Sequence, residues 1–387
     1  MKWKNKGHEF DEAFEQISGK KAFYLFGAGD YGKMFLKAFG EELEIVAFAD
    51  NDVKKQGSRI EGIECIAFDE ISLTENEGII LTMSQVARVQ PLQQLEKKGY
   101  IKNKDYFIIE EFISIYNVYK YDKVYFSSIS FLPSTTCNLN CRYCLNFNPF
   151  AKKFFVRELE DLKKDVDIFF SCVDHIMLFH VSGGEPLLYK HVADIIAYID
   201  EKYGDKIDTL RTVTNGTVVP SDEILEKLSH CNIEITIDDY REAVPKYKDN
   251  FDKLIDKLNH YQIKHYMNKV DSWIDLAPER TDYSHLSEEE MIRHRDACAQ
   301  SWQELRDGKL YNCNYAAYAT VAGIAGEQDL EEVFDLNAFS EKKKKELIEF
   351  RLGYTNKGYT NFCRKCRGFT PYNTEEVEPA VQADKRN

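Results

Sequence analysis

The stretch Thr-Thr-Cys-Asn-Leu-Asn-Cys-Arg-Tyr-Cys, residues 135–144, carries three cysteines within eight residues, Cys137, Cys141 and Cys144. Gaps of three and then two residues allow one short loop to hold three irons of a [4Fe-4S] cluster, which leaves the fourth iron without a protein ligand. An iron in that state is open to a substrate or cofactor. A zinc site is the alternative, but structural zinc normally takes four ligands, often as two Cys-x-x-Cys pairs.

The cysteine loop resembles the signature of the radical S-adenosylmethionine (SAM) enzymes, in which the open iron binds the amino and carboxylate groups of SAM. Tyr143, the aromatic residue before the third cysteine, fits this signature, and the resemblance implies that it contacts adenine. A second motif begins 39 residues after Cys144 and resembles the SAM-binding GGEP turn of that family. It consists of Gly183, Gly184, Glu185 and Pro186.

Polar residues also follow two later strands. Thr214, Asn215 and Gly216 resemble the strand end that lies near the methionine carboxylate and ribose of SAM. Thr236 and Asp238 occupy the next strand end, which commonly contacts the ribose or the substrate. Each group could instead cap the helix that follows it.

The region around these motifs alternates between strands and helices. We predict strands at 124–132, 176–181, 209–214 and 233–237, a sixth strand at 265–269, and helices at 156–172, 191–203 and 221–229. In a parallel βα barrel, functional residues lie at the carboxyl ends of the strands, where these motifs fall. The resemblance implies a partial (βα)6 TIM-type barrel over residues 124–290.

Four further cysteines lie near the other end of the chain: Cys298, Cys313, Cys363 and Cys366. They surround Trp302, Asp307 and Gly308, which precede a predicted hairpin at 309–315. This order resembles the twitch domain of radical SAM enzymes and implies one auxiliary [4Fe-4S] cluster within residues 291–387. Structural zinc stays open, because four cysteines ending in Cys-x-x-Cys suit zinc equally well.

The first 118 residues predict a Rossmann-like doubly wound domain. Gly27, Gly29 and Gly32 form G-x-G-x-x-G between a strand and a helix, and Asp50 ends the second strand, where such a domain places its ribose-binding acid. Further strands are predicted at 78–82 and 106–109, with a helix at 85–98 between them. The run after Asp50 resembles the nucleotide-binding domains of bacterial sugar acyltransferases, which implies a nucleotide-sugar ligand. A docking module without a ligand is the alternative.

The composition of the chain argues against some classes of function. The 387 residues are 43% hydrophobic and 30% charged, with a net charge of −14, which opposes binding to a nucleic-acid backbone. No apolar stretch is long enough to span a membrane, and the first residues lack a secretory signal, so a cytoplasmic location is expected. Ten cysteines in that compartment indicate metal ligands rather than disulfides.

Some residues receive weaker predictions. Three cysteines are expected to be packing residues: Cys65, Cys172 and Cys231. Four side chains near strand ends are expected to approach the substrate: His180, Lys269, Asp271 and Trp273. The lysine run at 342–345 predicts a solvated helix face.

Together the patterns predict an α/β protein with a Rossmann-like domain, a partial barrel and a small twitch domain. The resemblance implies SAM and two [4Fe-4S] clusters, an electron donor such as flavodoxin or ferredoxin, and removal of hydrogen from a C–H bond. The twitch family includes an aminocyclitol dehydrogenase, so oxidation of a small carbohydrate or nucleotide-linked sugar is expected. A sugar epimerase, a peptide maturase and a non-catalytic iron–sulfur scaffold are the alternatives. The sequence does not identify the catalytic base.

Overall fold

The computed structural model describes residues 1–83, 86–299, 302–326 and 332–383. The chain forms two compact units. The smaller unit comprises Asn5–Lys123 and Lys344–Leu352, and the larger comprises Met1–Lys4, Val124–Lys343 and Gly353–Asn387. In the described residues, no helix has both the length and the apolar character that crossing a membrane requires.

The smaller unit is built on a six-stranded sheet in the order β3-β4-β2-β1-β5-β6. The strands are β1 (Ala22–Phe26), β2 (Glu44–Ala49), β3 (Arg59–Ile60), β4 (Ile63–Ile66), β5 (Glu77–Leu81) and β6 (Tyr106–Ile108). All neighbours are parallel except β3 and β4. The helices are α1 (Asp11–Ser18), α2 (Asp30–Phe39), α3 (Val89–Lys97), α4 (Ile109–Tyr121) and α11 (Lys344–Arg351).

Two predictions for this unit need correction. The helix predicted at 85–98 begins only at Val89, after a short 3-10 turn, and Gln85 lies outside the described residues. The lysine run is not simply a solvated face. Lys344 pairs with Asp122, and the ammonium group of Lys345 lies 3.8 Å from the ring centroid of Tyr119.

The larger unit contains an eight-stranded sheet in the order β11-β10-β9-β8-β7-β13-β14-β15. Its strands are β7 (Tyr125–Phe131), β8 (His175–Val181), β9 (Ile207–Thr214), β10 (Ile233–Asp238), β11 (His265–Asn268), β13 (Glu304–Arg306), β14 (Lys309–Tyr311) and β15 (Val333–Asp335). A separate ribbon pairs β12 (Trp273–Ile274) with β16 (Glu376–Val377). Strands β7 to β11 are parallel and consecutive, which places their carboxyl ends along one edge.

Two predicted strand positions were wrong. The strand at 265–268 is the fifth of the parallel series, and a further parallel strand, β13, pairs with β7 at the opposite side. The hairpin consists of β13 and β14, so Asp307 and Gly308 form its turn instead of preceding it. Both residues have positive φ, 55° and 68°, as a tight two-residue hairpin turn requires.

Helices cover one face of this sheet. They are α5 (Leu159–Cys172), α6 (Val192–Tyr203), α7 (Asp222–Ser229) and α8 (Lys248–His260). Aromatic packing fixes α5 to the sheet, where Phe169 and Phe170 contact Phe179. Two further helices are α9 (Glu288–Asp296) and α10 (Asn314–Val321). The Tyr318 hydroxyl of α10 forms hydrogen bonds with Ser130 and Ser182 on the other face, which also carries the polar side chains described below.

A buried carboxylate joins α5 to the hairpin. Asp165 accepts a hydrogen bond from Arg157 at 2.6 Å and from the main-chain N–H groups of Asp307 at 2.8 Å and Gly308 at 2.7 Å. Only 4% of each of the Arg157 and Asp165 side chains is exposed. The turn is thus held by one buried ion pair.

We predict that Asp165→Ala lowers the free energy of unfolding by about 3–5 kcal/mol, because it leaves a buried guanidinium without its partner. Chemical denaturation measures the loss. Asp161→Ala on the exposed side of the same helix is the control, since its carboxylate is 60% exposed and paired only with Lys164. Equal effects of the two substitutions would contradict the prediction.

Candidate iron–sulfur and SAM site

The cysteine loop begins just after β7. Cys141 is buried and Cys137 and Cys144 are half-buried, and all ten cysteines of the chain are free thiols. The loop packs in an apolar cluster with Leu139, Tyr240, Val244 and Ala380, and Trp273 lies against this cluster. These surroundings cover Cys141 and partly cover Cys137 and Cys144.

The sulfurs of this loop receive N–H groups. The main chain of Leu139 donates to the Cys137 sulfur at 3.4 Å, and Asn215 Nδ2 lies 3.8 Å from the same sulfur. Gln382 Nε2 donates to the Cys141 sulfur at 3.4 Å. Burial raises the pKa of both thiols to about 12, so they ionise only when a cation binds them. Three thiols on one loop, two of them with N–H donors, fit a [4Fe-4S] cluster that has one open iron.

The GGEP turn packs against residues 134–136, the segment that leads into the cysteine loop. Gly184 N–H donates to Ser134 O at 2.9 Å, and Glu185 N–H donates to Thr136 O at 2.7 Å. A Cβ on Gly184 would lie 2.3 Å from the carbonyl oxygen of Thr135. Only glycine permits this approach, because heavy atoms cannot come so close without displacing the backbone.

Glu185 connects this turn to the next strand end. Its Oε1 accepts hydrogen bonds from Leu187 N–H at 3.0 Å and Thr214 Oγ1 at 2.8 Å, and its Oε2 accepts from Asn215 N–H at 2.8 Å. Burial raises the pKa of the carboxyl to about 7, although these hydrogen bonds lower it. Glu185 is a positioning residue that brings Asn215 toward Cys137.

Other predicted residues have distinct surroundings. Asp238 accepts hydrogen bonds from Tyr240 and Asn268, and burial raises its pKa. Thr236 precedes it by two residues and projects from the same face of β10. Gly216 has a φ of +71°, and its Cβ position lies 2.5 Å from the Phe251 ring, so packing against α8 requires glycine there.

Tyr143 and Pro186 also lie near this edge. Tyr143 lines a cleft with Cys144, Leu276 and Glu279. Pro186 is buried and begins the 3-10 turn that Glu185 caps. The carbonyl of Gly183 accepts a hydrogen bond from the Asn146 side chain, which links the turn to the end of the cysteine loop.

The second cysteine set gathers around one cavity. Cys298, Cys313, Cys363 and Cys366 all line it. Phe369 N–H donates to the Cys298 sulfur and Gly368 N–H to the Cys366 sulfur, each at 3.3 Å. Burial raises the pKa of Cys313 to about 11 and that of Cys366 further. The donor set therefore fits a metal group that supplies positive charge.

A buried arginine, which the sequence analysis missed, lines the same cavity. Arg295 is 8% exposed and contacts the carbonyl oxygen of Cys298 at 3.5 Å. Burial lowers its pKa, but the neighbouring Cys298, Cys313 and Cys363 raise it above the ordinary value. No motif marks this residue, because only the fold brings it among the cysteines.

The glycine turn of the smaller unit is held by its own aspartate. Asp50 accepts hydrogen bonds from Ala28 N–H, Asp52 N–H and Lys55 Nζ, each at 2.9 Å. Partial burial raises the pKa of Asp50, but these bonds lower it below its ordinary value. Three glycines make the turn compact: Gly27 has a φ of +121°, Gly32 packs on Gly27 O, and the Cβ position of Gly29 faces open space.

A row of polar side chains crosses the sheet of the larger unit. Strand register places them on one face: Glu304, Ser130, His180, Arg211 and Glu234. The Trp302 ring lies edge-on to His180 with centroids 5.6 Å apart. Arg211 pairs with Glu234 at 3.1 Å. Sequence reasoning found only His180, because the row depends on the register of distant strands.

Two side chains of this row have shifted pKa values. His180 is partly accessible, and burial and then Arg211 lower its pKa to about 4, so the imidazole is neutral at pH 7. Glu304 is fully buried, which raises its pKa to about 8 although Arg306 and Arg157 lower it. Its Oε1 accepts Leu132 N–H at 3.1 Å, while Oε2 has no hydrogen-bond partner among the described residues.

The remaining candidates lie away from this row. Lys269 and Asp271 are about four-fifths exposed and pair with each other at 3.3 Å. The thiol of Cys172 points to the carbonyl oxygen of Leu336, and that of Cys231 to the carbonyl oxygen of Lys227. Cys65 is buried in β4 of the smaller unit.

A three-cysteine loop and a glycine-rich turn lie together at the carboxyl edge of a parallel sheet, which is an arrangement that fits an iron–sulfur cluster with SAM. Residues 131–271 match the family model described as Radical SAM superfamily, so the chain contains a domain of that superfamily. Residues 19–104 match a model described as C2185-like, N-terminal.

Individual relatives cover smaller parts of the chain. GTP 3′,8-cyclase 3 from Mycobacterium bovis is 30% identical over 133 residues, which are 33% of this chain and 33% of the relative. GTP 3′,8-cyclase from Erythrobacter litoralis is 35% identical over 85 residues, 21% of this chain and 24% of the relative. The chain thus spans a third or less of these relatives.

Solved structures resemble the chain only at low scores. BtrN in complex with AdoMet and 2-DOIA gives a TM-score of 0.39 at 16% identity, covering 65% of this chain and 98% of BtrN. Streptococcus suis SuiB bound to precursor peptide SuiA gives 0.33 at 18% identity, covering 48% of this chain and 39% of SuiB. Scores of this size carry no argument about the reaction.

We predict that Gly184→Ala weakens SAM binding at least about tenfold and lowers the iron bound by the first loop, because the new methyl group displaces the turn from Thr135. Ultrafiltration with SAM and an iron assay on reconstituted protein measure both effects. Gly19→Ala is the control, since its Cβ would meet only ordinary contacts at 3.6 Å. Unchanged SAM binding in Gly184→Ala would count against the assigned role of the turn.

Glu304 predicts a pH effect on stability. Its carboxyl is ionised in the unfolded chain above about pH 4.5 but protonated in the folded protein up to about pH 8, so stability falls as pH rises through this window. Glu304→Gln should remove a slope of up to about 1.4 kcal/mol per pH unit. Chemical unfolding at several pH values from about 5.5 to about 8.5 measures this slope. Glu289→Gln is the control, since the Glu289 side chain is 88% exposed. If the stability of Glu304→Gln and of the native protein changed with pH in parallel, the prediction would be refuted.

Proposed function

We propose that the chain is a radical SAM oxidoreductase that converts a hydroxyl of a carbohydrate or nucleotide-linked sugar into a carbonyl group. The observation that carries the proposal is the gathering of Cys298, Cys313, Cys363 and Cys366 around one cavity. Four thiolates ligate every iron of a [4Fe-4S] cluster, which leaves none for substrate. Such a cluster suits transfer of an electron.

We prefer a cluster over zinc at this cavity because the same chain carries the first three-cysteine loop. Four cysteines that end in Cys-x-x-Cys suit zinc equally well, so the metal content must be measured. A zinc ion would need its thiolates at about 2.3 Å from one point. The cysteines of a [4Fe-4S] cluster each bind a different iron and stand further apart.

Oxidation of an alcohol removes a hydrogen atom from carbon, a proton from oxygen and one electron. When bound, SAM and its cluster would supply a 5′-deoxyadenosyl radical that takes the hydrogen atom, and the second cluster would accept the electron. The neutral imidazole of His180 would offer a ring nitrogen to the proton, although its lowered pKa makes it a weak base. Arg211 and Glu234 in the same row would bind further hydroxyl groups of the substrate.

The positions of the spare cysteines count against an epimerase. A sugar epimerase needs a thiol near the reacting carbon to return hydrogen from the other side. Cys172 ends α5 on the helix-covered face, and Cys231 precedes β10 at the end opposite to the cysteine loop. Among the described cysteines outside the two sets, none lies at the carboxyl edge of the parallel strands.

We propose that the smaller unit binds a nucleotide or a nucleotide-linked sugar. Its open position at Gly29 leaves space above the glycine turn, as a pyrophosphate requires. The relatives named GTP 3′,8-cyclase make GTP a second probe to test. Flavodoxin or ferredoxin would supply electrons in a reducing cytoplasm.

Anaerobic reconstitution tests this function. We expect about eight irons per chain and no zinc, SAM cleavage to 5′-deoxyadenosine, and loss of two hydrogens from one of a panel of UDP- and dTDP-linked hexoses. Cys363→Ser with Cys366→Ser should bind about four irons and still cleave SAM, but form no carbonyl product. Mass spectrometry and an iron assay give these readouts.

Cys231→Ser is the matched control and should behave as the native protein. About four irons with one zinc in the native protein would overturn the electron-acceptor role. Turnover of GTP but of none of the sugars would replace the proposed substrate class.

A further inference from the structure

Residues 376–383, which we call the strap, return to the first cysteine loop. The strap begins at β16, which pairs with β12, and continues to the loop, where it forms an antiparallel bridge between Gln382 and Cys141. Arg142 N–H donates to Val381 O at 2.8 Å, and Ala383 N–H donates to Asn140 O at 2.7 Å. The main chain of the strap is thus fixed on both sides of the central cysteine.

These bonds place the Gln382 side chain over the cysteine sulfur. Its Oε1 accepts the N–H of Asn140 at 2.9 Å. Its Nε2 donates to the carbonyl oxygen of Ala380 at 2.7 Å and to the Cys141 sulfur at 3.4 Å. Because Asn140 supplies a donor and Ala380 an acceptor, the orientation of the amide is determined, and an N–H group must face the sulfur.

The contact is buried on the side of the sulfur only. Cys141 is 8% exposed, and Ala380 is fully buried in the same apolar cluster, whereas Gln382 itself is exposed. A network anchors the chain before the strap, in which Glu375 binds Arg280 at 2.9 Å and also pairs with Arg367. The amide of Gln382 is therefore held over the sulfur by its hydrogen bonds to Asn140 and Ala380.

We propose that Gln382 is a positioning residue that stabilises the reduced state of the SAM-binding cluster through its hydrogen bond to the Cys141 thiolate. Hydrogen bonds to the sulfurs of a cluster and its solvent exposure set its reduction potential. Reduction adds negative charge to the thiolates, so an N–H donor favours the reduced form and raises the potential. The inference needs only the first cluster and is independent of the proposed substrate.

The test is a redox titration of the full-length reconstituted protein. Electron paramagnetic resonance monitors the titration through the cluster signal that changes when SAM is added. Gln382→Met keeps the length of the side chain but removes the donor, so the midpoint potential should become more negative at unchanged iron content. Gln382→Glu keeps the acceptor for Asn140 N–H and adds a negative charge. It should shift the potential further in the same direction.

Gln93→Met, the same change at an exposed position of the smaller unit, should leave the potential unchanged. A Gln382→Met protein that holds its full iron at the native potential would overturn the inference. Loss of iron from both Gln382 variants would also overturn it, because Gln382 would then hold the loop rather than tune the sulfur.

Discussion

Gly184 lies so close to the main chain of Thr135 and Thr136 that no Cβ fits between them, and the N–H groups of Gly184 and Glu185 bind that chain. This contact fixes the segment from which the cysteine loop departs. Glu185 then extends the constraint to Thr214 and Asn215 with a single buried carboxylate. Three strand ends, β7, β8 and β9, are therefore positioned relative to one another by close main-chain approach and by these four hydrogen bonds.

Charge balance explains why both cysteine sets carry their particular neighbours. Buried thiols resist ionisation, as the raised pKa values of Cys137, Cys141 and Cys313 indicate. In the proposed clusters, iron would supply the positive charge that ionises them, and the surroundings of the thiolates differ between the two sites. The first set receives neutral N–H donors, whereas the second also has the permanent cation of Arg295 beside it. In the proposed second cluster, this cation would favour the reduced state, as the proposed electron acceptor requires.

The sequence predicted those parts of the molecule that local pattern determines. Alternation of apolar strands with amphipathic helices located β7 to β11 and α5 to α7 within a few residues, since each element has its own periodicity. The hairpin was misplaced because Asp307 and Gly308 mark a turn without showing which flanking residues pair. Arg295 and the row containing Glu304 could not be predicted, because they depend on which strands become neighbours. Gln382 has no local motif at all.

One segment of chain serves both cysteine sets. After Cys366, the N–H groups of Gly368 and Phe369 donate to sulfurs of the second set, and sixteen residues after Cys366 the Gln382 amide donates to a sulfur of the first. Asn373 lies between these points and fixes the segment through hydrogen bonds to Gly368 O and Asp275 O. A shift of this segment would therefore alter the hydrogen bonding of both sets together.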